Sequence, residues 1–302
     1  MMFTGAQDVK ARFEAQGYIT TDAVATVVHI ADALEKPLLV EGPVGAGKTE
    51  LAKVWARAGG RAFFRLQCYE GLDEAKALYE WEYAKQLLYT QILKDKIAET
   101  LSGAQTMREA IALLNREEDL FFSREFLAPR PVLKAILSDT PALLLIDEVD
   151  RADAEFEAFL LEVLSDFAIT VPEIGTVTAK TIPRVVLTSN ASREISDALR
   201  RRCLHLSLPY PSPADEARIV ASRVPGISQS LTAQIVAFVD RVRRMDITKP
   251  PSVSETIDWA RALAVVGAAE LGPEAVRLTL GALVKLPDDA ARVAAEAGKL
   301  SG

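Results

Sequence analysis

The sequence predicts an α/β protein: parallel strands alternating with helices, followed by a smaller all-helical domain. Three observations carry this expectation. A glycine-rich loop joins the short apolar run PLLVEG to a helix; a second apolar run, PALLLIDEVD, ends in acids; and strand-like segments cease after Pro209, Pro211 and Pro213. Short apolar runs alternating with helical segments read as a parallel sheet wrapped by helices.

In chain order, Thr20 or Thr21 can cap a helix from about Asp22 to Glu35, with Val24, Val27, Val28, Ala31 and Leu34 at helical spacing. Pro37 stops it, and PLLVEG is a buried strand. The next helix opens at Gly47–Lys48 and ends at Gly59–Gly60, where a left-handed cap suits glycine. RAFFRLQC is a second strand, followed by a long helical stretch to about Leu114 and the acidic, aromatic segment REEDLFFSREF. PALLLIDEVD is the third strand and AEFEAFLLEVLSD a helix. AITVPEIGTVTA reads as a hairpin around a Pro/Gly turn, RVVLTSN as a fourth strand and CLHLSL as a fifth. Helices follow over about 214–223, 229–244, 253–266, 273–285 and 287–298. The expected domains are a core over 1–211, with a helical insert at about 70–140 and the hairpin at about 168–179, and a helical domain over 212–302.

Composition narrows the function. The chain has 302 residues, 49% apolar and 25% charged, enough for a full core without staples. Cys68, Cys203, His29 and His205 are too few and too scattered for a zinc site or a disulfide scaffold. A net charge of −7 disfavours nucleic acid as the partner. The N-terminus is polar, without a secretory core. The longest uninterrupted run of apolar residues and glycine, Ala262 to Ala269, falls far short of the ~20 residues that cross a bilayer, so no membrane insertion and a cytoplasmic location are expected.

Gly42-Pro43-Val44-Gly45-Ala46-Gly47-Lys48-Thr49 matches G-x-x-x-x-G-K-[ST] between a strand and a helix. Glycines let successive backbone N–H groups turn toward a phosphate, Lys48 adds a cation at the β/γ oxygens, and the helix N-terminus adds its dipole. A chance glycine turn is the alternative, and the strand-to-helix context argues against it. The expected ligand is ATP with Mg²⁺; the nucleotide-binding set runs from Gly42 through Thr49 to Glu50. Thr49 and Asp147 are the metal-holding pair, the latter as the acid ending the strand Leu143–Asp147. Glu148 is placed to activate a water as general base. The competing reading, that these acids simply favour a helix start, is kept for Asp150, Asp153 and Glu155. Asn190, ending its strand, can orient that water, although an Asn turn after a strand is common.

These motifs, with Leu199-Arg200-Arg201-Arg202 and the helical tail, resemble the AAA+ ATPases over about residues 20 to 285. The resemblance implies a P-loop AAA+ core with a C-terminal helical lid. GPVGAGKT, LLLIDEVD and the short lid are most similar to the MoxR group. RLQCYEGLDEAKALYEWEYAKQLL and KPPSVSETIDWARAL resemble the ATPases encoded beside carbon-monoxide dehydrogenase and related molybdenum hydroxylases (CoxD-like), which implies a chaperone-like role in metalloenzyme assembly or metal-centre maturation. It further implies a homo-oligomeric ring, expected to be a hexamer, a von Willebrand A-domain partner and a metalloenzyme client. Arg201 and Arg202 are favoured over Arg200 as the arginine that reaches a neighbour's γ-phosphate; a solvated helix end is the alternative. The family's second-sensor arginine is missing from Pro251-Ser252-Val253-Ser254-Glu255, where Ser252 and Glu255 read as a capping box; Arg261 is the nearest basic residue.

The stretch from Tyr69 to Thr140 far exceeds the dozen or so residues that a parallel crossover needs. Tyr79, Trp81, Tyr83 and Tyr89 lie in it and can either grip a client or pack a helix; the hairpin Ile169–Val177 is the other candidate contact. Arg241, Arg243 and Arg244 read as a solvated helix end. Two further functional classes stand beside the remodeller: a nucleic-acid motor or loader, and a weakly hydrolysing, nucleotide-switched scaffold.

Overall fold

The computed structural model of the chain describes residues 2–92, 94, 106, 126–171 and 175–300. The elements are α1 (Ala6–Ala15), α2 (Asp22–Leu34), β1 (Leu38–Glu41), α3 (Lys48–Ala58), β2 (Ala62–Gln67), α4 (Glu74–Leu78), β3 (Tyr79–Trp81) and α5 (Tyr83–Ile92). After these come β4 (Leu127–Pro129), α6 (Pro131–Ile136), β5 (Ala142–Asp147), a 3₁₀ turn (Val149–Arg151), α7 (Ala154–Asp166), β6 (Ala168–Val171) and β7 (Gly175–Thr178). β8 (Arg184–Ser189), α8 (Asp197–Arg202) and β9 (Leu204–Ser207) complete the sheet region. The remaining helices are α9 (Pro213–Arg223), α10 (Gln229–Arg243), α11 (Val253–Val265), α12 (Pro273–Leu283) and α13 (Pro287–Leu300).

Five parallel strands form the main sheet in the order β2-β5-β8-β1-β9. Because side chains alternate across a strand, each strand feeds two cores. Leu38, Val40, Leu143, Leu145 and Val186 face Leu51 and Trp55 of α3, whereas Leu39, Leu144, Ile146, Val185 and Leu187 face Leu133 of α6 and Leu160 of α7. Fully buried strands need no polar alternation, which is why β5 from Ala142 to Ile146 and β8 from Val185 to Leu187 are apolar on both faces and polar only at their ends. At the edge opposite the strand C-termini, Asp32 of α2 is buried and accepts from Arg184 Nε at 3.0 Å, with Arg61 as a second partner. The buried charge is therefore paired twice, as burial demands.

Asp22–Leu34 is capped by Thr21, whose side chain accepts from Val24 N–H at 3.3 Å. α9 to α13 share a separate core around Trp259 and Phe238, whose rings lie 5.0 Å apart, and Trp259 Nε1–H donates to Thr279 at 2.8 Å. No described helix is long and apolar enough to cross a membrane.

Three local expectations change. The long helix expected after β2 is interrupted at once: Tyr79–Trp81 is a strand paired antiparallel with Leu127–Pro129, a partner too distant in sequence for local periodicity to reveal. Most of the expected insert, and the tip of the hairpin between β6 and β7, lie outside the described residues. α1 was not expected from its polar sequence, yet it buries Val9 and Phe13, with Phe3, against α2 and α3. Finally, Arg243 is no solvated helix end: its guanidinium is held by Glu216 at 2.6 and 2.8 Å and by Pro251 O at 2.8 Å, and it stacks over Tyr210 at 4.4 Å. Arg244, by contrast, is exposed and pairs with Asp240.

Candidate nucleotide site

All strands of a parallel sheet end on one side, so their last residues meet there. β1 delivers Glu41 and then the loop Gly42–Gly47, from which α3 starts at Lys48. The loop has the left-handed backbone that only glycine adopts at little cost: Gly45 has φ +75° and Gly47 φ +97°. A Cβ on Gly45 would sit 2.1 Å from Ser252 Cβ, so the loop is pressed against the start of α11. Pro43 and Ala46 complete the loop, and Val44 is exposed.

Lys48 is buried, and its ammonium donates to Gly42 O at 2.7 Å, Pro43 O at 2.8 Å and Asn190 Oδ1 at 2.8 Å. Burial holds its pKa below the ordinary lysine value against the pull of the Asp150, Asp147 and Glu148 carboxylates. Thr49 Oγ1–H lies 3.2 Å from both oxygens of Asp147 at the end of β5. Glu148 follows in a left-handed conformation, φ +56°, with its N–H donating to Thr188 Oγ1 at 2.9 Å. Its carboxylate accepts from Asn190 Nδ2 at 3.4 Å, Gln67 Nε2 at 3.1 Å and Arg151 at 3.2 Å. Lys48, Thr49, Asp147, Glu148 and Asn190, five predicted site residues, are thus brought together at strand ends and one helix start.

The loop residues Gly42 to Gly47 adjoin this cluster, whereas Glu50 and the arginines lie elsewhere. Glu50 points away from this cluster, pairs with Arg57 at 2.9 Å and with Arg223 of α9 at 3.5 Å, and lines a neighbouring cavity. The arginines of α8 divide: Arg200 makes two hydrogen bonds to Glu41, at 3.1 and 2.8 Å, and Arg202 donates to Ser165 at 2.6 Å. The Arg201 side chain is exposed and has no hydrogen bond or ion pair with another described residue. The Ser252–Glu255 capping box is formed, and Arg261 pairs with Asp258 at 3.2 Å.

Four participants were not read from the sequence. Asp150, a helix-start acid by its sequence context, does lie in the 3₁₀ turn, but it is buried and accepts from Asn190 N–H at 3.2 Å and from the N–H and hydroxyl of Ser192, which fixes the loop that carries Asn190. Thr188 donates to Asp147. Arg65 and Gln67 of β2 reach Asp147 and Glu148 respectively. The only signal was spacing: Arg65 and Gln67 share a face at period two, and which strand lies beside them decides the rest.

Beside the loop, a cavity of about 640 Å³ runs between the core and the helical region. Tyr18, Thr20, Gly45 and Glu50 line it from the core, Ile257 and Arg261 from α11. Thr20 Oγ1 is buried there and has no hydrogen-bond partner among the described residues. The residues present fit a nucleotide and its metal. A hydroxyl and a carboxylate, Thr49 and Asp147, form the all-oxygen donor set that Mg²⁺ takes, an ammonium stands beside them, and the cavity adjoins the same loop.

Residues 37–203, more than half of the chain, match the AAA domain of the dynein-related subfamily. The chain belongs to this AAA family. Its matched span runs from the approach to β1 to the end of α8 and contains every residue of the Lys48–Asn190 cluster. The AAA chain is 24% identical over 233 residues to protein NorQ of Paracoccus denitrificans, covering 76% of this chain and 73% of NorQ. Among solved structures, one mutant form of Thermotoga maritima RuvB superposes with a TM-score of 0.50 at 15% identity, over 95% of this chain and 73% of that one. A second mutant form of the same RuvB gives 0.50 at 15% identity over 95% and 72%. At that identity the likeness is one of fold.

Proposed function

We propose that this AAA protein is a Mg²⁺-dependent ATPase of the MoxR type that acts as a chaperone-like remodeller of a partner protein. One observation carries the hydrolytic part: Lys48, Asn190 and Glu148 are linked by hydrogen bonds at 2.8 and 3.4 Å, beside a Thr49–Asp147 pair. Lys48 and the loop N–H groups bind the β- and γ-phosphates of ATP. Thr49 and Asp147 hold Mg²⁺, which when bound neutralises charge on the phosphate oxygens. Glu148 takes a proton from the attacking water, and Asn190, fixed by Asp150, orients that water. The nucleoside end occupies the cavity beside Thr20.

The remaining charge falls to an arginine of a neighbouring subunit. Arg201, exposed and without a partner among the described residues, is the first choice and Arg202 the second; Arg200 is engaged by Glu41. Action in trans requires a neighbouring subunit, supplied in this proposal by a ring, a hexamer in the cytoplasm. The motif resemblance to ATPases encoded beside molybdenum hydroxylases supports metal-centre maturation or assembly as the task, with a von Willebrand A-domain protein as co-factor and a metalloenzyme as client. A nucleotide-switched scaffold with slow turnover is the second reading, favoured by the Ser252–Glu255 capping box where a sensor arginine would stand.

The decisive pair of variants is Lys48→Ala and Glu148→Gln. Loss of a charged hydrogen-bond donor predicts nucleotide affinity about ten- to a hundred-fold weaker in Lys48→Ala. Glu148→Gln is expected to bind ATP as wild type does and to lose turnover by about 10²–10⁴-fold. Equal turnover in wild type and Glu148→Gln overturns the assignment of the base, and retained affinity in Lys48→Ala overturns the loop's role. The Glu148→Gln protein, with ATP held, is also the bait that should retain the client in a pull-down.

A further inference from the structure

Arg65, Gln67, Asp147 and Thr188 point to the same face of the sheet, the face covered by α3. Period-two alternation puts Arg65 and Gln67 with Phe63, Asp147 with Leu145, and Thr188 with Val186, and those apolar neighbours belong to the α3-side core. β5 lies between β2 and β8, so Asp147 is flanked on both sides. Thr188 and Thr49 donate to its carboxylate, and Arg65 adds a fork: Nε at 3.0 Å and a terminal nitrogen at 2.6 Å, both on Oδ2. The same terminal nitrogen donates to Gln67 Oε1, and Gln67 Nε2–H donates to Glu148 Oε2 at 3.1 Å. A chain of hydrogen bonds therefore runs from the metal acid through Arg65 and Gln67 to the base.

Building on the Mg²⁺-ATPase reading above, we infer that Arg65 is a tethered cation that competes with the metal for Asp147 and couples metal loading to the position of Glu148. A guanidinium and a divalent cation within reach of one carboxylate repel each other, and the oxygen that takes two N–H bonds has little left for a metal-bound water. Metal loading draws Arg65 off Oδ2; Gln67 Oε1 then loses its donor, and the amide that holds Glu148 is free to turn. Arg65 is thus a positioning residue: it touches no phosphate and acts through Asp147 and Gln67. Its side chain is 45% exposed, which gives it solvent to swing into and makes its removal tolerable for the fold.

Binding of a fluorescent ADP analogue is followed while Mg²⁺ is titrated, with a parallel arm in EDTA, and bound metal is counted independently by Mn²⁺ electron paramagnetic resonance. In Arg65→Gln the metal midpoint falls about three- to ten-fold, from the upper part of the range of an exposed ion pair to above it, because the competitor is divalent. Affinity in EDTA stays within about two-fold of wild type, the scatter of an exposed polar substitution. Arg65→Lys keeps the charge, loses the fork and falls between the two. Thermal unfolding midpoints of both variants match wild type. A metal midpoint that is unchanged or raised in Arg65→Gln overturns the inference, as does an equal shift in the EDTA arm, which would put Arg65 on the nucleotide. A wild-type protein that takes up no nucleotide in either arm overturns the ATPase reading itself, a separate failure.

Discussion

Asp150 illustrates how much a single side chain does next to the candidate site. Burial raises the cost of its charge, yet hydrogen bonds from the Ser192 side chain and backbone and from Asn190 N–H outweigh it and hold the carboxyl below its ordinary pKa. A carboxyl depressed in the folded state contributes stability that is complete above its unfolded pKa and fades as pH falls through the folded one. Asp150→Asn should therefore flatten the acid limb of the stability–pH curve below about pH 4, where unfolded carboxyls begin to protonate. Asp150→Ala should cost about 2 kcal/mol, because two backbone N–H groups lose their acceptor. Urea unfolding at a series of pH values measures both. If the Asn190 loop is held as described, Asp150→Ala also lowers turnover more than it weakens nucleotide binding. A motif reading cannot find this residue: an acid after a strand is chemically plausible as a helix start, and only the loop's return to it shows the contacts that it makes.

At the scale of elements, the loop between β1 and α3 and the start of α11 are one contact. Gly45 is left-handed and touches Ser252, the cap of α11. Gly45→Ala is expected to cost about 1–2 kcal/mol from the backbone alone, and the new methyl has to push Ser252 away. Calorimetry should show a lower unfolding temperature, and nucleotide affinity should fall with it. Adding Ser252→Gly should return the part due to the clash and leave the backbone part. Full recovery would mean that the left-handed conformation costs nothing, and no recovery that the two elements do not meet. Glu41 makes a second such junction. It precedes the loop and binds both Arg200 and His205, so the strand that carries the glycine loop is tied to the helix that carries Arg201. Arg200 pulls the Glu41 carboxyl below its ordinary pKa against burial, with His205 adding to the effect.

At the scale of the molecule, the arginines of α8 are engaged away from their own Lys48–Glu148 cluster or left exposed, so the proposed action in trans is testable by mixing subunits. Specific activity is expected to rise with protein concentration as subunits assemble, and sedimentation should show the larger species over the same range. Arg201→Ala mixed with Lys48→Ala should regain activity: one subunit supplies an intact nucleotide site and the other an intact arginine. Both single variants inactive and no recovery on mixing would place Arg201 in its own subunit's chemistry; a fully active Arg201→Ala would pass the role to Arg202. The acidic balance, net −7, fits a protein client better than a polyanion.

The sequence by itself determined the identity and order of the chemical groups. A loop with three glycines before Lys48, an apolar strand ending in Asp147 and Glu148, and Asn190 at the end of another were legible because each is a local pattern with a local cause: a phosphate needs bare backbone, and a buried strand can show polar groups only at its end. Helix limits around Asp22 and Ser252 were legible for the same reason, since caps lie next to the helices they start. Tertiary structure alone decided which strands are neighbours, and with that came everything that crosses between them: Arg65 on Asp147, Gln67 on Glu148, Asp150 under the Asn190 loop, and Tyr79–Trp81 as a strand rather than a helix. Those contacts join residues tens of positions apart. Their energies depend on sheet order, a property of the whole chain that no window along it contains.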